Sequence, residues 1–219
     1  MVTLAPPVPS VAQARVGAIV QAPARGALIE RAIAAYDGGL RVLVLPVGIP
    51  FVAEIAAEIA DRADDLTVGI CDVVEPDQLN IALAAGAAFV VLPHLDEELE
   101  RSARGRVTVI PGVATPSELR LARTRTQGPV AVYPSGYLGG ARYVGRLARI
   151  QPGLPLVAMG NIGPDDAPSY LEAGANVVIV DRDLFPADND PASTDVIAMR
   201  AGALVEVCGE IGPARTSRP

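Results

Sequence analysis

The sequence predicts an α/β fold, a single (β/α)₈ TIM barrel, on three observations. A helix-like stretch, a glycine corner and an apolar run without alternation recur along the chain. Eight such apolar runs can be placed, each with a helical stretch after it. No linker-like break divides the 219 residues.

The recurring junction is clearest where Gly38-Gly39 precedes Val42-Leu43-Val44-Leu45. It returns where Gly86 precedes Phe89-Val90-Val91-Leu92, and where Gly174 precedes Val177-Val178-Ile179-Val180. Glycine takes the left-handed turn that closes a helix. An apolar run with no polar alternation marks a strand buried on both faces, hence a parallel strand.

In chain order, the strands are expected at 16–20, 42–45, 66–71, 89–92, 107–110, 129–133, 155–158 and 177–180. Helices are expected at 26–36, 51–62, 76–85, 96–103, 116–124, 140–150, 164–173 and 193–209. Pro76, Pro116 and Pro164 read as first-turn prolines. Thr115-Pro116-Ser117-Glu118 fits a capping box, with Glu118 reaching back to the cap. Residues 1–15, with Ala5-Pro6-Pro7-Val8-Pro9, read as an N-terminal arm, 16–210 as the barrel, and 211–219 as a polar, frayed tail. The alternative is an open doubly wound sheet, which a dinucleotide fingerprint would favour. Gly136-Tyr137-Leu138-Gly139-Gly140 has neither that spacing nor the acidic partner.

Composition narrows the function. The net charge of −7 repels phosphate backbones and anionic lipid, which argues against nucleic-acid or membrane-surface partners. The longest apolar runs, such as Ile81 to Pro93, are too short to span a bilayer. The first residues lack the basic region and apolar core of a signal peptide. Cys71 and Cys208 stand far apart with no CxxC, which reads as a reducing, cytoplasmic setting with neither a disulfide framework nor a zinc site. No spacing points to another metal or to a cofactor. A mean hydropathy of +0.34 suggests a homo-oligomer, with the helix at 51–62 hiding apolar surface in an interface. All 18 basic residues are arginine. The sequence therefore offers no lysine amine as nucleophile, base or phosphate ligand.

In such a barrel, functional groups sit at the C-terminal ends of the strands and in the loops that follow. Several of these segments carry a family resemblance. Gly38-Gly39-Leu40-Arg41-Val42-Leu43, Val68-Gly69-Ile70-Cys71-Asp72-Val73 and Glu75-Pro76-Asp77-Gln78-Leu79 lie in order along the chain. Ile110-Pro111-Gly112-Val113-Ala114-Thr115-Pro116-Ser117-Glu118, Val130-Ala131-Val132-Tyr133-Pro134-Ser135 and Met159-Gly160-Asn161-Ile162 continue the series. Together they resemble the aldolases of 2-keto-3-deoxy-6-phosphogluconate and 4-hydroxy-2-oxoglutarate, class I aldolases that use a Schiff-base lysine. The resemblance implies a barrel and a trimer.

It also locates the departures. The family's lysine falls on Ala131, its glutamate on Val44, its carboxylate-binding arginine on Gly48 and a carboxylate-binding threonine on Asp72. The Gly-Gly-Ser of the family's phosphate cradle becomes Val180-Asp181-Arg182. Without an amine no iminium forms, and without the glutamate the family's proton transfer is lost.

Most of the remaining candidates have two readings. Asp72, just past a buried strand, is either an acid/base held in a low-dielectric setting or a loop carboxylate capping a turn. Tyr133 is a hydrogen-bond donor to a substrate oxygen or a packing group. His94 is a proton shuttle or a satisfied loop residue. Ser135 is a substrate contact without a visible base, and Cys71 a small buried apolar group. Gly160 and Asn161, with Asp181 and Arg182, occupy the loops where barrels often hold phosphate. There Arg182 either forks an anion or pairs with its acidic neighbours Asp181 and Asp183. The expected activity is acid/base proton transfer on a small anionic or oxygenated, 2-oxo-acid-like substrate: isomerisation, dehydration or aldol-type carbon–carbon lyase chemistry. The alternative is an inactive barrel that binds a ligand or a partner.

Overall fold

The computed structural model describes residues 14–22, 24–126, 128–186 and 193–211. Most of the expected N-terminal arm and all but the first residue of the tail lie outside them. The strands are β1 (Val16–Ile19), β2 (Val42–Pro46), β3 (Thr67–Cys71), β4 (Phe89–Leu92), β5 (Thr108–Val113), β6 (Val130–Val132), β7 (Leu156–Met159) and β8 (Val177–Val180). The helices are α1 (Arg25–Asp37), α2 (Val52–Arg62), α3 (Pro76–Ala84), α4 (Glu97–Ala103), α5 (Pro116–Arg125), α6 (Gly140–Ile150), α7 (Ala167–Ala173) and α8 (Ser193–Glu210). The strands pair in parallel in chain order and β8 returns to β1, closing a single (β/α)₈ barrel.

The three glycine junctions turn as expected, with positive φ at Gly39, Gly86 and Gly174. Two boundaries differ by more than one residue. The helix expected from Pro164 begins at Ala167, because Pro164–Asp166 form a turn in which Ala167 N–H reaches the Pro164 carbonyl. Pro168, not Pro164, is the first-turn proline. β5 runs on to Val113, so Pro111 and Gly112 belong to the ladder rather than to a loop.

The strands' outward side chains pack under the helices, and the inward ones fill the barrel. Phe89 occupies the interior over Gly69, where a Cβ would come within 2.3 Å of its ring. The interior set includes Val44, Ala131, Val157, Met159 and Ile179, all buried and apolar. The apolar face of α2 is also used internally, since Val52, Ile55, Ala56 and Ile59 are buried on the chain's own barrel. That corrects the expectation that this helix keeps its apolar residues for an interface; the exposed group is Phe51, just before it.

Candidate active site

The interior ends upward in Cys71, Ala131 and Met159, and the polar groups begin one residue beyond the strands. Asp72 follows β3 with φ 62°, a left-handed conformation that Asp tolerates better than most residues. Its carboxylate is exposed rather than held in the low-dielectric setting expected for it. The Cys71 thiol donates to Asp72 Oδ2 at 3.5 Å. Burial, and then the Asp72 charge, push that thiol well above its ordinary value of 9.0. Cys71 therefore stays a protonated, buried thiol.

Tyr133 follows β6, and its N–H donates to the Val113 carbonyl (3.0 Å). The side chain is half-buried against the interior cluster. Burial first, and then the charge of Asp72, raise the phenol above its ordinary value of 10.0, with Cys71 and Asp181 adding smaller contributions. Asp72 and Asp181 thus act on one phenol from two sides of the barrel mouth. At neutral pH the phenol keeps its proton and remains a hydrogen-bond donor.

Behind Tyr133 lies the loop after β7. Gly160 has φ 93°, and a Cβ there would come within 2.8 Å of Pro134 and 2.9 Å of the Tyr133 ring. Only glycine allows this approach. Asn161 is also left-handed, at φ 60°. The two successive N–H groups that result are both taken by one carboxylate. Asn161 N–H donates to Asp181 Oδ2 (2.8 Å), and Ile162 N–H to Asp181 Oδ1 (2.7 Å).

Arg182 realises the pairing alternative with Asp183 but not with Asp181, whose carboxylate is held by the loop amides. Its guanidinium meets Asp183 on one side and Asp166 Oδ2, at 2.6 Å, on the other. Asp166 also accepts from Gly163 N–H (3.2 Å). The sequence reading missed Asp166, which stands sixteen positions from Arg182 and carries no motif. Ser135 is fully buried, and its hydroxyl donates to the Met159 carbonyl (3.1 Å), so the group read as a substrate contact ties the β6 loop to β7. His94 is exposed, and its Nε2 lies 3.8 Å from Asp96, the carboxylate that caps α4. That separation is too long for a hydrogen bond. Among the described residues no three His, Cys, Asp or Glu side chains converge as a metal site would need.

The match to known proteins is now specific. The family model of the KDPG and KHG aldolases matches residues 9–198. The chain belongs to this aldolase family. The 2-dehydro-3-deoxy-phosphogluconate aldolase of Dickeya dadantii (strain 3937) is 30% identical over 161 residues, 73% of this chain and 76% of its own length. The 2-dehydro-3-deoxy-6-phosphogalactonate aldolase of Escherichia coli (strain K12) is 26% identical over 180 residues, 81% of this chain and 86% of its own. The crystal structure of the 2-keto-3-deoxy-6-phospho-gluconate aldolase from Zymomonas mobilis ATCC 29191 shares the fold, with a TM-score of 0.80 at 24% identity, over 95% of this chain and 98% of that one.

Within this aldolase-family barrel, Val44 and Ala131 are both fully buried in the interior. These are the positions to which the resemblance assigns the glutamate and the lysine. Gly48, assigned the arginine, is exposed with open space where a side chain would start.

Proposed function

We propose that this chain is a diverged aldolase-family enzyme that moves protons on a small oxygenated, 2-oxo-acid-like substrate without a covalent amine. The observation that carries the proposal is the contrast at the strand ends. The interior positions Val44 and Ala131 are apolar and sealed, while Asp72 and Tyr133 meet electrostatically at the open mouth. Asp72 is the acid/base, since its exposed carboxylate can reach a bound substrate and exchange protons with water. Tyr133, held protonated, donates to the oxygen on which negative charge builds during enolisation. Asn161 is a further polar group at the rim. The reactions that fit are isomerisation, dehydration and aldol-type carbon–carbon lyase chemistry.

Turnover by Asp72→Asn tests this. The exchange removes the titratable proton at nearly constant volume, and it should slow turnover by roughly 10² to 10⁴ while leaving the melting temperature unchanged. Equal rates would remove Asp72 from the mechanism. Incubation with pyruvate and borohydride should leave internal peptides at their native mass, because the sequence contains no lysine to form an imine. A stable internal adduct would refute the non-covalent route.

A second reading is a barrel that binds a ligand or a partner without turning it over. The apolar floor of Val44, Ala131 and Met159 favours it, because none of these side chains can take up or give a proton. Under this reading Asp72→Asn changes ligand affinity and nothing else.

The proposed organisation is one barrel over 16–210, an arm before it and a short tail after it. The barrel works as a homotrimer in the cytoplasm. The exposed rings of Phe51 and Tyr137 support an interface, and two free, buried thiols support a reducing compartment. No helix among the described residues is long and apolar enough to cross a membrane. Sedimentation should show a single oligomer; a monomer at micromolar concentration would overturn the trimer.

A further inference from the structure

We infer that Asp181 is a specificity-determining residue: its carboxylate fills the anion cradle at the ends of β7 and β8, so the site takes ligands that carry no phosphate group. The inference rests on the barrel mouth being the functional site and names the ligand class for it.

Barrels often bind phosphate at the loops after strands seven and eight. Successive backbone N–H groups in a left-handed turn form a concave anion site. The loop after β7 builds one from left-handed Gly160 and Asn161. Its two N–H groups then close on Asp181, at 2.8 and 2.7 Å, one to each carboxylate oxygen. This is how a bound anion would sit, except that the anion is part of the chain and no dilution removes it.

The adjoining donors are engaged in the same way. Gly163 N–H donates to Asp166, and the Arg182 guanidinium is shared between Asp166 and Asp183. An incoming phosphate would have to displace Asp181 and then lie beside the carboxylate it displaced, with like charges in contact. A neutral hydroxyl meets the opposite situation. Each carboxylate oxygen has more than one lone pair, so Asp181 can still accept from a ligand O–H while holding both amides. The ligand class is therefore hydroxyl-bearing and unphosphorylated.

Titration with inorganic phosphate in Tris buffer, followed by calorimetry and by the amide resonances of Asn161 and Ile162, tests the assignment. The wild-type protein should show no saturable binding. Asp181→Gly, which empties the cradle, should gain saturable phosphate binding that the wild type lacks, with both amide resonances moving. Saturable binding to the wild type that moves those two amides would overturn the inference, whatever the variant does. A folded Asp181→Gly protein with no gain would also overturn it. Should that variant not fold, Asp181→Ala, which also empties the cradle, must show the same gain. None of these readings uses turnover, so their failure leaves the Asp72 mechanism standing, and equal rates for Asp72→Asn leave the Asp181 assignment standing.

Discussion

Glu118 and Asp181 lie in different regions of the barrel, yet each is held by two successive backbone N–H groups. Glu118 Oε2 accepts from the N–H groups of Ala114 (2.7 Å) and Thr115 (2.8 Å) at the start of α5. Asp181 accepts from Asn161 and Ile162 at matching distances. Glu118 serves the helix that it begins, and the Thr115 hydroxyl returns the bond by accepting from Glu118 N–H (3.3 Å). Asp181 crosses from β8 to the loop of β7, at the mouth, where its charge also reaches Tyr133. Glu118 takes both amides on one oxygen at the start of its own helix, whereas Asp181 takes one amide on each oxygen and joins two strand ends.

The comparison can be broken by removing each carboxylate. Asp181→Ala has the larger expected effect, because it strips two N–H groups in a half-buried loop. A buried donor left unsatisfied costs about 1–3 kcal/mol, and a chain of this size loses about 2–4 °C of melting temperature per kcal/mol. Added phosphate should restore that loss by occupying the vacated cradle. Glu118→Ala should cost about 1 kcal/mol, with no recovery in phosphate, because water reaches the exposed start of α5. Equal recovery in both variants, in thermal melts with and without phosphate, would erase the distinction.

A smaller effect sharpens it. The Ala114 amide, first among its causes, holds Glu118 below its ordinary value of 4.5. A depressed folded pKa contributes stability that is present above 4.5 and lost as pH falls through the lowered value. Urea melts on the acid side should therefore show less pH dependence for Glu118→Gln than for wild type. Identical acid limbs would contradict this.

Sequence distance explains what could be read in advance. Thr115 and Glu118 lie three residues apart, and a capping box is a local spacing rule, so the pair was legible. The strands were legible because a parallel barrel strand is apolar on both faces, as Val177–Val180 shows. The Asp181 contacts span nineteen and twenty residues, and Gly160-Asn161 permits the left-handed turn they need without pointing to the carboxylate that fills it. Arg182 was read with Asp181 and Asp183 because they adjoin it, but only Asp183 pairs with it, and Asp166 was missed because the pairing of β7 with β8 brings it near. Ser135 and His94 were placed on the right face, but their local partners, the Met159 carbonyl and Asp96, are matters of side-chain direction.

The central claim is that Asp72, Tyr133 and Asp181 form one electrostatically coupled mouth. Tyrosine ring carbons can be followed by NMR through an alkaline titration, with the Tyr133 signal assigned by its loss in Tyr133→Phe. The Tyr133 phenol should titrate above 10.0 in the wild type. Because its folded value is raised, the stability that it contributes is fully present below 10.0 and is lost as pH rises through the raised value. Asp72→Asn should lower the phenol's pKa by removing the largest charge acting on it, and Asp181→Asn should lower it by less, with burial holding the remainder. A Tyr133 phenol that titrates at 10.0 and ignores both substitutions would contradict the account.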